Sequence, residues 1–198
     1  MSTARTYELK RRAESQQETR RRIVEAAVEL HTKLGPSQTT IKAIAERAGV
    51  TRPTVYAHFP DDRALFLACS GLVRDTVPPP DPAAWGEISD PADRFVTALR
   101  DLYGYYERLE PLLEKVERDA VTMPIIAELN ADRVRHLQDV RDRLLEGWPA
   151  RRGARARRRR AIGHALEFGT WQSLVRRQGC GIGEVIGLML ALVLAAGS

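Results

Sequence analysis

Four positions in the stretch 39–59, "TTIKAIAERAGVTRPTVYAHF", carry groups suited to reading the edge of another molecule. Arg52 ends in a planar guanidinium whose parallel donors match the O6 and N7 acceptors of a guanine. Pro53 and the methyl of Thr54 offer apolar surface to a thymine methyl, and Lys42 is a cation able to serve a base or a phosphate. A second set suits anions instead. Thr40 and Thr51 stand where helices would begin, with free backbone N–H groups and the positive end of the dipole close by. Tyr56 and His58 add O–H and N–H donors appropriate to phosphate oxygens.

These side chains need elements to hold them. Ile41, Ile44, Ala45 and Ala48 recur at helical spacing, and Gly49 can take the left-handed conformation that ends a helix. Thr51 can cap the next helix, and Pro53 is tolerated in its first turn, where a missing N–H costs nothing. Two helices joined by a short glycine turn make a helix-turn-helix, here 40–59, whose second helix fits the ~12 Å major groove of B-DNA. Upstream, the Ser15-Gln-Gln-Glu18 spacing of a capping box predicts a helix starting there, with Ile23, Ala26, Ala27, Leu30 and Leu34 on one face. Gly35-Pro36 stops it, and residues 1–14 are expected as a flexible basic tail.

Downstream, a fourth helix is predicted at about 62–73, and the proline run 78–82 breaks the chain. Further helices are predicted near 91–109, 110–120, 124–147, 155–178 and 182–196. The fold class is all-α with about nine helices, divided into a DNA-binding domain at 1–60 and a second domain at 61–198. The helix at 155–178 carries one stripe of Ile162, Leu166, Gly169 and Ser173 and another of His164, Phe168, Trp171 and Val175. A helix apolar on two sides must be covered on two sides. With Ile186 and Leu190 of the final helix, the first stripe is therefore expected to form a homodimer interface, four helices packing across a two-fold axis.

Charge is divided along the chain. Residues 1–60 carry 11 Lys/Arg against 6 Asp/Glu, residues 61–150 carry 11 against 18, and residues 151–198 carry 9 against 2. Contact with a polyanion is thus expected in the first sixty residues. The run "RRGARARRRR" at 151–160 is read as a solvated loop and helix start answering the acidic middle. The longest apolar run, 185–196, is too short for the ~20 residues of a spanning helix, so no membrane partner is expected. Cys69 and Cys180 lack metal-knuckle spacing, and the N-terminus lacks a secretory signal, which implies a cytoplasmic protein. The four histidines have no ligand spacing, and neither a nucleophile elbow nor a phosphate loop is present, so no metal, cofactor or enzymatic activity is expected. "GIGEVIG" at 181–187 follows a helix and leaves too little chain for a dinucleotide fold.

The segment "RRRIVEAAVELHTKLGPSQTTIKAIAERAGVTRPTVYAHFPDDRALFLA", residues 20–68, resembles the DNA-binding region of the TetR family of transcriptional regulators. Thr-Thr-x-x-x-Ile-Ala, Ala-Gly-Val, Thr-Val-Tyr-x-His-Phe and Arg-Ala-Leu follow in the family's order over about a quarter of the chain. The resemblance implies base contacts by Lys42, Arg52, Pro53 and Thr54 and phosphate contacts by Thr40, Thr51, Tyr56 and His58. Where the family often has a lysine opening the fourth helix, this chain has Asp62, with Arg63 as the candidate substitute.

The resemblance also implies a ligand pocket in the middle helices, dimerisation by the last two, and double-stranded operator DNA as partner. Candidate pocket residues are Tyr103, Tyr106, Met123, Asn130, Arg133, Leu137, Phe168 and Trp171, which suit a small, largely apolar or aromatic effector that releases a repressor from its operator. The alternative is an effector-independent architectural or activating factor.

Overall fold

The computed structural model describes residues 2–149 and 153–198, with side chains from Tyr7 onward. Among the described residues there are nine α-helices and no strand: α1 Ser2–Lys33, α2 Ile41–Ala48, α3 Arg52–His58, α4 Asp62–Thr76, α5 Pro91–Ala120, α6 Pro124–Leu144, α7 Ala154–Ala165, α8 Phe168–Trp171 and α9 Ile182–Ala195. The chain forms two compact units, Met1–Pro78 with Pro111–Leu129, and Pro79–Glu110 with Asn130–Ser198. This differs from the expected boundary at residue 60: α4 and the ends of α5 and α6 belong to the first unit.

The first unit is built on the apolar stripe of α1. Ile23, Val24, Ala26 and Ala27 pack with Ile44, Ala45 and Ala48 of α2, Val55 of α3, Phe59, and Leu65 and Cys69 of α4. Gly35 has φ +97° and ends the α1 turn as expected. It is followed by a 3₁₀ turn at Pro36–Gln38. The carboxylate of Asp119, near the end of α5, is buried there and accepts the Ser37 N–H at 2.9 Å and the Arg118 Nε–H at 2.7 Å.

Three helix boundaries depart from expectation. α1 begins at Ser2, so Ser15 lies inside it, and its carbonyl accepts the Thr19 hydroxyl at 2.9 Å instead of a cap forming. The residues before it, among them Leu9, Lys10, Arg11, Arg12 and Ala13, are good helix formers, so the helix propagates past the capping signal. The expected tail 1–14 is therefore helical from Ser2, residue 1 lying outside the described residues. α5 runs unbroken through Pro111. Leu109 and Leu113 are both buried, and the apolar spacing that continues through the proline offsets a cost of ~3 kcal/mol.

The predicted helix at 155–178 is broken in the second unit. α7 ends at Ala165, α8 spans one turn, and Gln172–Arg177 winds as a π-helical turn. At the break the Tyr103 hydroxyl donates to the Ala165 carbonyl at 2.9 Å and the Tyr106 hydroxyl to the Leu166 carbonyl at 2.6 Å. Side chains thus satisfy carbonyls that the helix ladder would otherwise hold. Among the described arginines of the basic segment, Arg155, Arg157, Arg159 and Arg160 are exposed, in keeping with a solvated helix start, and one is taken into the packing. Arg158 is buried, donates to the Val193 and Pro149 carbonyls and lies 4.7 Å from the Trp148 ring centroid. Arg159 forks onto Asp142 at 2.8 and 3.1 Å, drawing on the acidic middle as anticipated. Residues 151 and 152 of that run lie outside the described residues.

Candidate nucleic-acid interface

Local chemistry fixes the hairpin of α2 and α3. Thr40 caps α2, its hydroxyl accepting the Ala43 N–H at 3.1 Å. Gly49 closes α2 at φ +66°, a conformation that favours glycine, and the Val50 N–H returns to the Ala45 carbonyl at 2.9 Å. Thr51 then caps α3 by accepting the Thr54 N–H at 3.3 Å, with Pro53 in the first turn. The Thr51 and Thr54 hydroxyls lie 2.8 Å apart, so the Thr54 hydroxyl has a partner within the helix and its methyl is the part left for other contacts.

Packing decides which side chains are presented. Val55 is fully buried and Phe59 nearly so, which turns one side of α3 inward. Arg52, Pro53 and Tyr56 are exposed, while Thr54 and His58 are half-buried. Lys42 is exposed on α2 and sits 3.8 Å from the Glu46 carboxylate. An exposed pair of that kind is worth ~0 to 1 kcal/mol, so it leaves the ammonium available. One contiguous region of two short helices therefore carries Lys42, Arg52, Pro53, Thr54 and Tyr56, with Thr40 and Thr51 at the two helix starts.

Residues outside the motif hold it in place. Arg22 Nη1 donates to the Ala48 carbonyl at 3.2 Å, and the Arg20 guanidinium lies 4.8 Å from the Phe59 ring centroid. Arg47 pairs with Glu29 at 2.5 Å. Arginine on an exposed helix face reads as solvated charge in a sequence, so these braces leave no sequence signal. Asp62 is exposed in the first turn of α4, which is capped by Asp61. Arg63, the candidate substitute, pairs with Glu128 at 2.5 Å.

His31, on the buried side of α1, packs 5.2 Å from the Phe66 ring centroid. Burial pushes its pKa down to about 4 against the opposing pull of the Asp119 carboxylate, so the imidazole is neutral near pH 7. It belongs to the core of the unit.

Met123 falls in the first unit and the other pocket candidates in the second. Tyr103, Tyr106, Phe168 and Trp171 are all buried and form one aromatic cluster: Phe168 stacks 5.4 Å from Trp171, and Tyr106 meets Phe168 edge-on at 5.4 Å. Burial raises the Tyr103 pKa, keeping its hydroxyl protonated as a donor. The indole Nε1–H of Trp171 is buried with no hydrogen-bond partner, while Arg176 lies 4.9 Å from the ring centroid. Arg133 and Asn130 are half-buried and pair with each other at 2.9 Å; Leu137 and Met123 are half-buried.

The dimer candidates divide. Ile162, Leu166 and Ile186 are buried within the protomer itself, and Gly169, Ser173 and Leu190 are half-buried. The apolar side chains that α9 leaves exposed are Leu188, Leu192 and Leu194. Gly187, Ala191 and Ala195 are exposed beside them. Periodicity located the helix but placed its free face about half a turn away. No helix among the described residues is long and apolar enough to cross a membrane.

Residues 23–69 match the family described as bacterial regulatory proteins, tetR family. The chain is 41% identical over 68 residues to the HTH-type transcriptional regulator TtgR of Pseudomonas putida, covering 34% of this chain and 32% of that protein. It is 46% identical over 50 residues to the regulator AcrR of Shigella flexneri, 25% of this chain and 23% of that one. The chain thus matches about a third of the length of such relatives or less. Over nearly the whole chain the fold is similar to that of a TetR-like transcriptional regulator from Rhodococcus sp. RHA1, with TM-score 0.64, 19% identity, and coverage of 91% of this chain and 97% of that chain. It is also similar to the SmeT–triclosan complex, with TM-score 0.62, 21% identity and 90% coverage of each. The match falls on the residues that build and present α2 and α3, and over this segment the chain is similar to the tetR family of bacterial regulatory proteins.

Proposed function

We propose that the protein is a homodimeric, cytoplasmic transcriptional repressor that binds an operator through α2 and α3 and leaves it when a small aromatic effector binds. The observation that carries the reading is the exposure of Arg52 and Pro53 at the capped start of α3, a helix anchored from behind by Val55 and Phe59. Arg52, Pro53, Thr54 and Lys42 are assigned to base edges. Thr40, Thr51, Tyr56 and His58 are assigned to phosphates, which fix register and carry little sequence information.

A second copy of the chain is the assigned occupant of the exposed face Gly187, Leu188, Ala191 and Leu192 on α9. Small residues beside leucines let two such helices approach closely, and a two-fold axis presents two reading heads to two half-sites. The effector is assigned to the aromatic cluster of the second unit. Both tyrosine hydroxyls there are engaged as donors to backbone, and the unpartnered donor is Trp171 Nε1–H. That chemistry suits an uncharged aromatic ligand bearing one hydrogen-bond acceptor, and a neighbour in fold, SmeT, was solved with triclosan. Moving the protein from mostly bound to mostly free needs differential binding on the order of 5 kcal/mol.

The test is selection of binding sites from random duplex DNA by the full chain, followed by titration of the winning duplex with and without triclosan. The reading predicts a palindromic site with half-sites near one or two helical turns apart, and release by the ligand that Trp171→Phe weakens. Enrichment of no sequence would overturn the DNA-binding reading. Affinity unchanged by triclosan and a panel of related phenols would overturn the effector reading.

A further inference from the structure

The first half of α1 is a surface with no cover. Residues 7–18 are all exposed, so nothing among the described residues packs on them. From residue 19 onward the same helix is anchored: Thr19 is half-buried and Ile23, Val24, Ala26 and Ala27 are in the core. A helix this short with no tertiary partner is marginal in water by itself, so this half is held mainly by its continuity with the packed half.

The chemistry of the core-facing stripe changes at that point. At 100° per residue, Arg12, Gln16 and Thr19 fall within about 40° of the Ile23 direction, the side on which α1 buries its apolar residues. Ser15 and Arg11 lie to one side of them, about 80° and 120° from that direction. A stripe that is apolar at Ile23, Ala26, Ala27 and Leu30 thus becomes hydroxyl, amide and guanidinium as it runs outward, interrupted further out by Glu8 and Leu9. Across 7–19 there are three Lys/Arg against three Glu, and Arg20, Arg21 and Arg22 follow directly. Glu18 is taken up by Arg21 at 2.7 Å and Glu14 lies 4.0 Å from Lys10, whereas Arg11 and Arg12 have no carboxylate partner among the described residues.

The anchored contacts say where this stripe leads. Arg22 holds the carbonyl of Ala48, immediately before the Gly49 turn, and Arg20 covers Phe59 at the end of α3. Residues 20–22 of α1 are therefore level with the ends of the two helices that form the reading head. The twelve residues 7–18 continue outward from there for about 18 Å.

We propose that residues 7–19 of α1 form a second DNA-binding element, gripping the phosphate backbone beside the operator through Arg11, Arg12, Ser15 and Gln16. It rests on the reading of α2 and α3 as the operator-binding hairpin. The occupant is the flanking duplex because the stripe carries two guanidiniums without a carboxylate partner among the described residues, is rich in donors and is continuous with that hairpin, and phosphate is what such a surface recognises without reading sequence. Its reach corresponds to up to about five base pairs on each side of the site at 3.4 Å per pair.

The experiment uses the full chain and a duplex that it has selected from random-sequence DNA, compared with the double variant Arg11→Gln, Arg12→Gln. Affinity is measured across a salt series, and backbone protection by hydroxyl-radical footprinting. The expected result is a slope of log affinity against log salt shallower by about 1.8 per bound chain, from two contacts of about 0.9 each. Protection should be lost in the flanks, with the preferred operator sequence unchanged. Both positions are exposed and touch no core residue, and unchanged circular dichroism would confirm an intact head. An unaltered slope and footprint would overturn the proposal while leaving the hairpin reading standing; failure of the unaltered chain to select any duplex would remove the hairpin reading itself. Vesicles containing phosphatidylserine serve as the competing polyanion. Retention on vesicles that the variant abolishes, with the DNA slope unaltered, would assign the stripe to a membrane surface and overturn the proposal.

Discussion

The Tyr106 hydroxyl donates to the carbonyl of Leu166 at 2.6 Å, across 60 residues of sequence, and the Tyr103 hydroxyl does the same for Ala165 at 2.9 Å. In an unbroken helix those two carbonyls would accept the N–H groups four residues on, from Gly169 and Thr170. Here the Thr170 N–H goes to Glu167 instead, at 3.1 Å. Two phenols from α5 therefore take the place of two rungs of the ladder, and α8 starts anew with Phe168 edge-on and Trp171 tilted against Tyr106. Tyr106→Phe removes the donor and leaves a buried carbonyl unpaired, at a cost of about 1 to 3 kcal/mol. Urea unfolding should show that loss at an unchanged m-value, and a variant as stable as the parent would show that the hydroxyl does not brace the break.

How far these features were legible depends on whether their cause is local. Thr40, Gly49, Thr51 and Pro53 act within four residues of themselves, so the caps and the turn of the hairpin could be read directly. The break after Ala165 has no local signal, because its cause is two tyrosines about sixty residues earlier and helical spacing persists across it. At Ser15 a local signal was present, but the helix-forming residues before it were stronger. On α9 almost every residue is apolar, so periodicity could not separate the face toward the protomer, with Ile186 and Val193, from the exposed face of Leu188 and Leu192. The residues assigned to bases are recognisable by their types, and the burial of Val55 and Phe59 adds that Arg52 and Pro53 lie on the exposed side of α3.

His31 provides a pH test of the core. Its folded pKa, about 4, is depressed below the ordinary 6.5, so the unfolded chain binds the proton more tightly. Stability from this group is fully present above about pH 6.5 and is lost as pH falls toward 4. The loss should reach about 3 kcal/mol at most. His31→Leu should flatten that part of the stability profile relative to the parent, other titrating groups being common to both. Parallel profiles from pH 7 to 4.5 would show that the imidazole is not buried as described.

The exposed leucines of α9 test the assembly. Introducing charge with Leu188→Glu and Leu192→Glu should convert a dimer into monomers by sedimentation, because two like charges would face each other across a two-fold axis. The variant should keep its helical content, since neither side chain contributes to the protomer core. DNA affinity should fall as the two heads become independent. A dimer that persists unchanged would place the interface elsewhere.

The reading head itself is tested by Arg52→Ala, titrated against the selected operator and against duplexes in which each base pair is replaced in turn. The account predicts a loss of about 1 to 3 kcal/mol on the operator and relaxed discrimination at one base pair per half-site, with preferences elsewhere intact. Tyr56→Phe, at a residue assigned to phosphate, should instead weaken every duplex alike. An equal loss on all duplexes for Arg52→Ala would contradict the claim that the exposed start of α3 reads sequence.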